Sequence, residues 1–169
     1  MDLRAKILAQ HSSAACQRIV KWIGSDQKRF DELFMLVNSG EKRLAQCASW
    51  PMSECVIANP HFADKHFSSL MKMLHNTQNH EAVRRNTVRL LQFAILPKKF
   101  HGQIMNDCFE FVSSPSEKPA VKADALTILH NLSKIYPEIK GELRTIIEDR
   151  WDLETAAFRS RGRKILNKL

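Results

Sequence analysis

Residues 82–91, AVRRNTVRLL, form a pattern that the chain of 169 residues repeats twice more. The second copy is AVKADALTIL at 120–129 and the third is AFRSRGRKIL at 157–166, so the copies begin 38 and 37 residues apart. A repeat of this length is typical of proteins in which pairs of helices stack one after another. The three copies therefore predict a helical-repeat architecture.

Each copy has the same order of side chains. An apolar residue is followed by a cation, a small residue stands three positions after that cation, and two aliphatic residues end the pattern. The cations are Arg84, Lys122 and Arg159, and the small residues are Thr87, Ala125 and Gly162. On a helix the apolar and small positions share one face, with the cation at its flank. We therefore expect these side chains to be buried: Val83, Leu90, Leu91, Val121, Leu129, Leu132, Ile165 and Leu166.

The rest of the chain also has helical patterns. Apolar residues recur at three- and four-residue spacing between short turns, and no stretch alternates with the two-residue period of a strand. We therefore predict an all-α fold of about eight to ten helices. Pro51 lies inside one of these segments, residues 41–58. Proline removes a backbone hydrogen bond and crowds the preceding turn, so we expect this helix to bend or stop near Trp50.

The pattern of the three copies resembles the second helix of a HEAT repeat, in the armadillo-type helical-repeat superfamily. The resemblance covers residues 59–169 and, in a less complete form, residues 41–58. It implies a short right-handed α-solenoid of antiparallel helix pairs. We expect one domain over residues 1–169, with residues 1–40 as an N-terminal helical cap and residues 41–169 as about three to four HEAT-like pairs.

The resemblance also implies a ladder of ion pairs. In that family the cation commonly pairs with an aspartate in the preceding turn. Six residues before the three cations this chain has Gln78, Ser116 and Leu153, and Asp152 is the one acid near such a position. The expected ladder is therefore incomplete, which leaves some of the cations without their usual partner.

The charge of the chain favours anionic partners. It has 26 Lys and Arg against 18 Asp and Glu, a formal charge of +8 at pH 7. An excess of this kind attracts polyanions, but it also serves solubility and specifies no ligand.

The cysteines and the lengths of the apolar runs indicate in which cellular compartment the protein is found. The four cysteines lie far apart inside helical patterns and form no C-x-x-C pair, which indicates reduced, buried thiols. The first residues, MDLRAKILAQ, lack the features of a signal peptide, and no run approaches the roughly 18 apolar residues of a membrane span. We therefore expect a cytoplasmic protein that does not bind membranes.

Motifs for catalysis, cofactors or metals are not found. His61 and His66 are five residues apart, a spacing that does not return to one helix face, and no Cys/His cluster or Gly-rich phosphate loop occurs. Acidic residues such as Asp26 and Glu154 are expected to stabilise helix starts. The sequence thus predicts no catalytic residues, no cofactor and no metal, and it favours a protein that is not an enzyme.

Two functions remain open for such a repeat. The first is a non-catalytic scaffold that binds a protein or peptide through a basic concave face. The alternative is a nucleic-acid binder, related in style to HEAT-like proteins that repair alkylated DNA, although none of the catalytic residues of that group can be placed on a matching motif here. A third interpretation is that the charged residues only form a solvent-exposed surface that binds no ligand.

The same residues would serve either kind of partner. Arg85 and Arg89 are expected to face water, and Trp151 is a candidate stacking platform beside the basic C-terminal segment. We expect Lys122 and Arg159 to bridge repeats, and Arg163 and Lys164 to be better placed for a ligand. The full candidate set is Arg84, Arg85, Arg89, Lys118, Lys122, Arg159, Arg163, Lys164 and Trp151.

Overall fold

The computed structural model describes residues 1–169 and contains only helices. This confirms the all-α prediction and the expected number of helices. The α-helices are Leu3–Ala9 (α1), Ser13–Ile23 (α2), Gln27–Val37 (α3), Lys42–Ala58 (α4), Phe67–His75 (α5), Glu81–Leu91 (α6), His101–Ser113 (α7), Pro119–Ser133 (α8), Lys140–Arg150 (α9) and Ala156–Leu166 (α10). No helix is both long and apolar enough to cross a bilayer.

Helix boundaries follow local sequence signals. The side chains of Ser12, Asp26 and Thr155 accept hydrogen bonds from backbone amides in the first turns of α2, α3 and α10, amides that have no partner inside their own helix. Gly24 ends α2 with a φ of 55°, a backbone conformation that residues with a Cβ rarely adopt. Short 3-10 helices precede α5, α7 and α9, at Pro60–His66, Lys98–Phe100 and Pro137–Ile139.

The chain divides into two compact units, Met1–Ile95 and Leu96–Leu169. In the first unit α4 is the central helix, because α1, α2, α3 and α6 all pack against it. The three N-terminal helices thus pack against α4, and their role as an N-terminal cap stays a prediction. That residues 1–169 form a single domain stays a prediction.

In the second unit α8 is the central helix. It packs against α7, α9 and α10, and it is buried around most of its circumference. Ala123 of α8 is buried, and Arg161 of α10 donates a hydrogen bond to its carbonyl oxygen at 3.3 Å. The same guanidinium bonds Oγ1 of Thr127 and lies 3.8 Å from the carboxylate of Asp124.

Contacts within each unit have the period of the repeat. Side-chain hydrogen bonds between one repeat and the next join residues from 32 positions apart, as Lys122 and Glu154, to 38 positions apart, as Arg161 and Ala123. In the first unit Asn86 Nδ2 donates to Ser49 Oγ, 37 positions away. Within each unit these bonds join residues about one repeat apart, as expected where stacked helix pairs bury a continuous core.

Seven of the eight predicted core residues are buried. Val83, Leu90, Leu91, Val121, Leu129, Leu132 and Ile165 are each at most 4 % exposed. Leu166 is only half-buried, and for this residue the prediction is wrong. It is the last residue of α10.

The helix was expected to bend or stop near Pro51, and it does not stop there. Helix α4 runs without interruption from Lys42 to Ala58 with Pro51 inside it. Four other helices pack against α4, and ten of its residues are buried, Pro51 among them. This burial stabilises the helical path and offsets the hydrogen bond that proline cannot make.

The four cysteines are free and buried, as the sequence predicted. Burial raises the pKa of the Cys16 and Cys55 thiols to about 12. A thiol reacts as its thiolate, and this shift keeps both groups as neutral thiols at neutral pH.

Candidate functional site

Two of the three repeated cations bind the end of the helix that precedes them. Arg84 Nε donates to the carbonyl oxygen of Leu74, in the last turn of α5, at 2.8 Å. Arg159 Nη1 donates to the carbonyl oxygens of Glu154, at 2.7 Å, and Trp151, at 3.4 Å, just after α9. The last carbonyls of a helix have no partner inside it, and a cation there also interacts favourably with the helix dipole. These two arginines therefore join the two helices of one repeat.

Lys122 makes a different contact. Its Nζ lies 2.5 Å from Oε1 of Glu154, and the residue is only 2 % exposed. Arg150 also binds this oxygen, through Nε at 2.9 Å and Nη2 at 2.5 Å. Nη1 of Arg150 donates to the carbonyl oxygen of Ser113, the last residue of α7. One carboxylate thus connects α8, α9 and the segment before α10, and Arg150 ties this cluster to α7.

The cluster keeps Glu154 ionised. Burial alone would raise the pKa of this carboxyl, but hydrogen bonds and charge from Lys122 and Arg150 outweigh burial and lower the pKa. Lys122 was a candidate for partner binding. Because its ammonium is buried and paired with Glu154, it is not available to a partner, and that assignment is corrected.

Trp151, the residue that follows α9, lies beside Arg163 of α10. The guanidinium carbon of Arg163 is 5.8 Å from the centre of the Trp151 ring, within the range of a cation–π contact. Trp151 is half-buried, whereas Arg163 and the adjacent Lys164 are exposed. Arg163 and Lys164 make no ion pair, and α10 contains no acidic residue. The exposed side of α10 is therefore positively charged.

The remaining candidates are dispersed. Arg84, Arg85 and Arg89 are on α6 in the first unit, where Arg85 is exposed. Arg89 was expected to face water, but it is half-buried, with Nη1 2.7 Å from Oε1 of Glu54 on α4. Lys118 is exposed at the start of α8. Trp151, Arg159 and Arg163 are brought together around the turn between α9 and α10, and Lys122 reaches the same turn through Glu154. Lys164 follows Arg163 on α10.

The repeat geometry agrees with a comparison of the sequence with known families. A family model described as a HEAT repeat domain matches residues 3–169. The chain belongs to the HEAT-repeat family. The match includes nearly all of residues 1–40, the segment predicted to be an N-terminal cap. No curated protein and no solved structure matches the chain.

Within this HEAT-repeat chain, Glu154 is the residue of the cluster that the sequence did not identify. It was expected to stabilise a helix start, and the acid of the ladder was sought in the turn before each cation. The acid that binds Lys122 lies 32 residues after it, in the following repeat. The signal that could have found it is the repeat period itself, since side-chain hydrogen bonds between one repeat and the next join residues 32 to 38 positions apart.

The histidines with described partners in this HEAT-repeat chain have structural contacts. His66 Nε2 lies 2.8 Å from Asp31 Oδ1, and its ring stacks on Phe34. His101 lies 3.0 Å from the hydroxyl of Tyr136. No group of three or more potential ligands is arranged to hold a metal ion.

Proposed function

We propose that this HEAT-repeat protein is a non-catalytic scaffold that binds an acidic segment of a partner protein through the exposed side of α10. The binding residues would be Arg163 and Lys164, with Trp151 as the apolar contact beside them. HEAT repeats generally mediate protein interactions, which supports a protein partner. Four free cysteines also support our proposal that the protein works in the reducing cytoplasm.

The observation that carries this proposal is the contrast between the cations of one small region. Lys122 and Arg150 are bound by Glu154, and Arg159 is bound by carbonyl oxygens. Arg163 and Lys164 have neither kind of partner and are exposed. Cations that stabilise the fold are thus distinguished from cations that remain available for a ligand.

Trp151 adds specificity to the charge. Its ring is half-buried beside Arg163, so an apolar side chain of the partner could pack on the ring while a carboxylate binds the guanidinium. Aromatic and arginine side chains are the residue types enriched at the centres of protein interfaces. Lysines that only keep a protein soluble need no such neighbour.

The test is a titration with a labelled polyglutamate peptide, followed by fluorescence anisotropy at two salt concentrations. The double variant Arg163→Glu with Lys164→Glu should lose binding by at least about tenfold, because two attractive contacts become repulsive. Its melting temperature should stay close to that of the wild type, since both side chains are exposed. The matched control is Lys28→Glu with Lys42→Glu, two exposed lysines at helix starts, where an acid is tolerated.

Two results would overturn the proposal. The first is equal loss of binding in the control variant, which would show that only net charge matters. The second is tighter binding of duplex DNA or RNA than of polyglutamate, with a steep dependence on salt. That second result would favour the nucleic-acid function instead.

A further inference from the structure

Helices α1 and α2 of the first unit form a surface cavity of about 540 Å³. We call it the α1–α2 cavity, and seven residues line it: Met1, Lys6, Ala9, Gln10, Ala15, Arg18 and Ile19. Its volume is within the range of about 300–1,000 Å³ that is usual for small-molecule sites. The cavity shares no residue with the proposed interface on α10 and does not depend on that proposal.

Both walls of the α1–α2 cavity are held in place by α4. Helices α1 and α2 each pack against α4, and α1 buries Leu3 and Ile7 in the core. An ion pair adds to this support, because Arg4 of α1 lies 2.6 Å from Glu41, the residue that precedes α4. The two helices are thus fixed by contacts that lie outside the cavity, so the cavity does not need a ligand to form.

Most of the surface inside the cavity is apolar. Ala15 and Ile19 are one helical turn apart on α2, so they share a face, and they are only 4 % and 5 % exposed. Ala9 and Met1 add apolar surface that remains in contact with water. An apolar group that occupied the cavity would remove this surface from water, which is favourable in free energy.

Two cations line the same cavity, and no acidic residue does. Lys6 and Arg18 are exposed, and neither makes an ion pair, whereas Arg4 of the same helix as Lys6 is bound by Glu41. Both cations therefore keep their full charge at the cavity.

A hydrogen bond holds the guanidinium of Arg18 at the cavity. Its Nη2 donates to Oε1 of Gln10 at 3.0 Å, and Gln10 also lines the cavity. The bond joins α2 to the residue that ends α1, and it limits the movement of a long side chain. It uses one N–H donor of several and does not neutralise the charge, so Arg18 can still bind a carboxylate in its bidentate geometry.

We propose that the α1–α2 cavity binds a small organic carboxylate with an apolar body, such as a medium-chain alkyl carboxylate. The carboxylate binds Arg18 and Lys6, and the apolar body covers Ala15 and Ile19. An inorganic anion would leave the apolar surface in water, and a neutral apolar molecule would leave both cations unpaired. A protein interface of standard size takes about 20–30 residues from each partner, many more than the seven here. The cavity therefore fits a small amphiphile better than a folded protein.

The test compares octanoate with acetate and with 1-octanol, each of which keeps one half of the octanoate structure. The methyl resonances of Ala15 and Ile19 are followed by NMR during each titration, at neutral pH and constant ionic strength. Octanoate should shift both resonances in a saturable way, and acetate and octanol should each bind at least about tenfold more weakly. If either of them bound as tightly as octanoate, recognition of a carboxylate with an apolar body would be wrong.

A double variant shows whether the two cations are responsible. Lys6→Gln with Arg18→Gln should weaken octanoate binding by at least about tenfold and leave octanol binding and the melting temperature nearly unchanged, since both residues are exposed. The matched control is Lys21→Gln with Arg43→Gln, because Arg43 is exposed and donates to Oε1 of Gln46 at 3.0 Å, the kind of bond that Arg18 makes. Equal affinities of the two double variants for octanoate would overturn the assignment.

A second pair of variants locates the apolar part of the site. Ala9→Leu adds a larger side chain inside the cavity and should weaken the binding of both octanoate and octanol. Ala14→Leu adds the same side chain at an exposed position of α2 that does not line the cavity, so both affinities should be unchanged. Binding of octanoate by Ala9→Leu with the affinity of the wild type would place the ligand outside the cavity.

A last titration distinguishes a small ligand from a segment of a partner protein. The probe is a short peptide of alternating glutamate and leucine with both ends blocked. Binding of this peptide to Ala15 and Ile19 with an affinity no higher than that of octanoate supports a small carboxylate as the ligand. Binding at the same two residues at least about tenfold more tightly than octanoate would overturn that assignment and favour a protein segment.

Discussion

Lys122 and Glu154 form a buried ion pair between α8 and the segment before α10. Nζ and Oε1 are 2.5 Å apart, and the side chains are 3 % and 6 % exposed. Arg150 binds the same oxygen and is 16 % exposed. Taking these charges out of water is costly, and their mutual attraction repays that cost only while every partner is in place. The pair therefore fixes geometry more than it adds stability.

Replacement of Glu154 by Gln should be strongly destabilising. The change leaves the ammonium of Lys122 and the guanidinium of Arg150 without a counter-charge in a buried position, which typically costs about 3–5 kcal/mol. Lys122→Met should cost less, because Glu154 keeps Arg150 as its partner. Urea unfolding of the three proteins measures both differences.

The control for this prediction is Glu148→Gln on α9. Glu148 is 57 % exposed and lies 3.9 Å from Arg144, so its loss should cost less than about 1 kcal/mol. If Glu154→Gln and Glu148→Gln unfolded at the same urea concentration, the buried cluster would not have the role described here.

Gly162→Ala should destabilise the protein, although alanine favours helices by about 1 kcal/mol over glycine. A Cβ on Gly162 would lie 2.9 Å from Cγ2 of Ile147 and 3.4 Å from the ring of Trp151. Ile147 is fully buried and branched at Cβ, so it has little room to move. We expect a net loss of about 1–2 kcal/mol, measured by thermal unfolding.

Gly141→Ala is the matched control for this close approach. Gly141 is in α9, and nothing lies within 4 Å of the Cβ that an alanine would add. This substitution should be neutral or stabilising by up to about 1 kcal/mol. A Gly162→Ala protein as stable as Gly141→Ala would show that α9 and α10 are not held at this distance.

The repeat period predicted most of the fold because it reports local helix patterns. Two failures had non-local causes. The path of α4 through Pro51 depends on four helices that pack around it, and these contacts cannot be seen within residues 41–58. The half-burial of Leu166 depends on which helices pack against the last turn of α10, and its position in the pattern does not report these contacts.

The candidate site was predicted less well than the fold. A sequence pattern places Arg84, Lys122 and Arg159 at the same helix position, yet it does not say which acceptor each one meets. Arg84 and Arg159 find carbonyls in their own repeat, whereas Lys122 finds Glu154 in the next. Which acceptor a repeated cation binds depends on the residues that tertiary packing places beside it, as Glu154 is placed beside Lys122.

Leu129→Ala tests the register that the three copies share. Leu129 is fully buried in α8, so its truncation should cost about 2–5 kcal/mol through lost burial and the cavity left behind. Leu153→Ala removes the same atoms from a residue that is 72 % exposed and should change stability by less than about 0.5 kcal/mol. Equal effects of the two substitutions on urea unfolding would show that Leu129 does not lie on the buried face of α8.

Asp31 should make stability depend on acid pH. Burial alone would raise its pKa, but hydrogen bonds from Lys65, Gln27 and His66 outweigh burial and lower the pKa to about 2. The usual pKa of an aspartate, as in the unfolded chain, is about 3.9. The folded protein therefore gains stability from this group above about pH 4 and loses it as the pH falls toward 2.

The comparison of wild type with Asp31→Asn isolates this contribution. We expect the wild type to be more stable at neutral pH and the difference to shrink as the pH falls through that window, as measured by urea unfolding. The stability of Lys65→Met should lie between those of the wild type and Asp31→Asn. In this variant Asp31 keeps its hydrogen bonds with Gln27, at 2.9 Å, and His66, at 2.8 Å. Parallel stability curves for wild type and Asp31→Asn at every pH would mean that the carboxylate is not held as the structure shows.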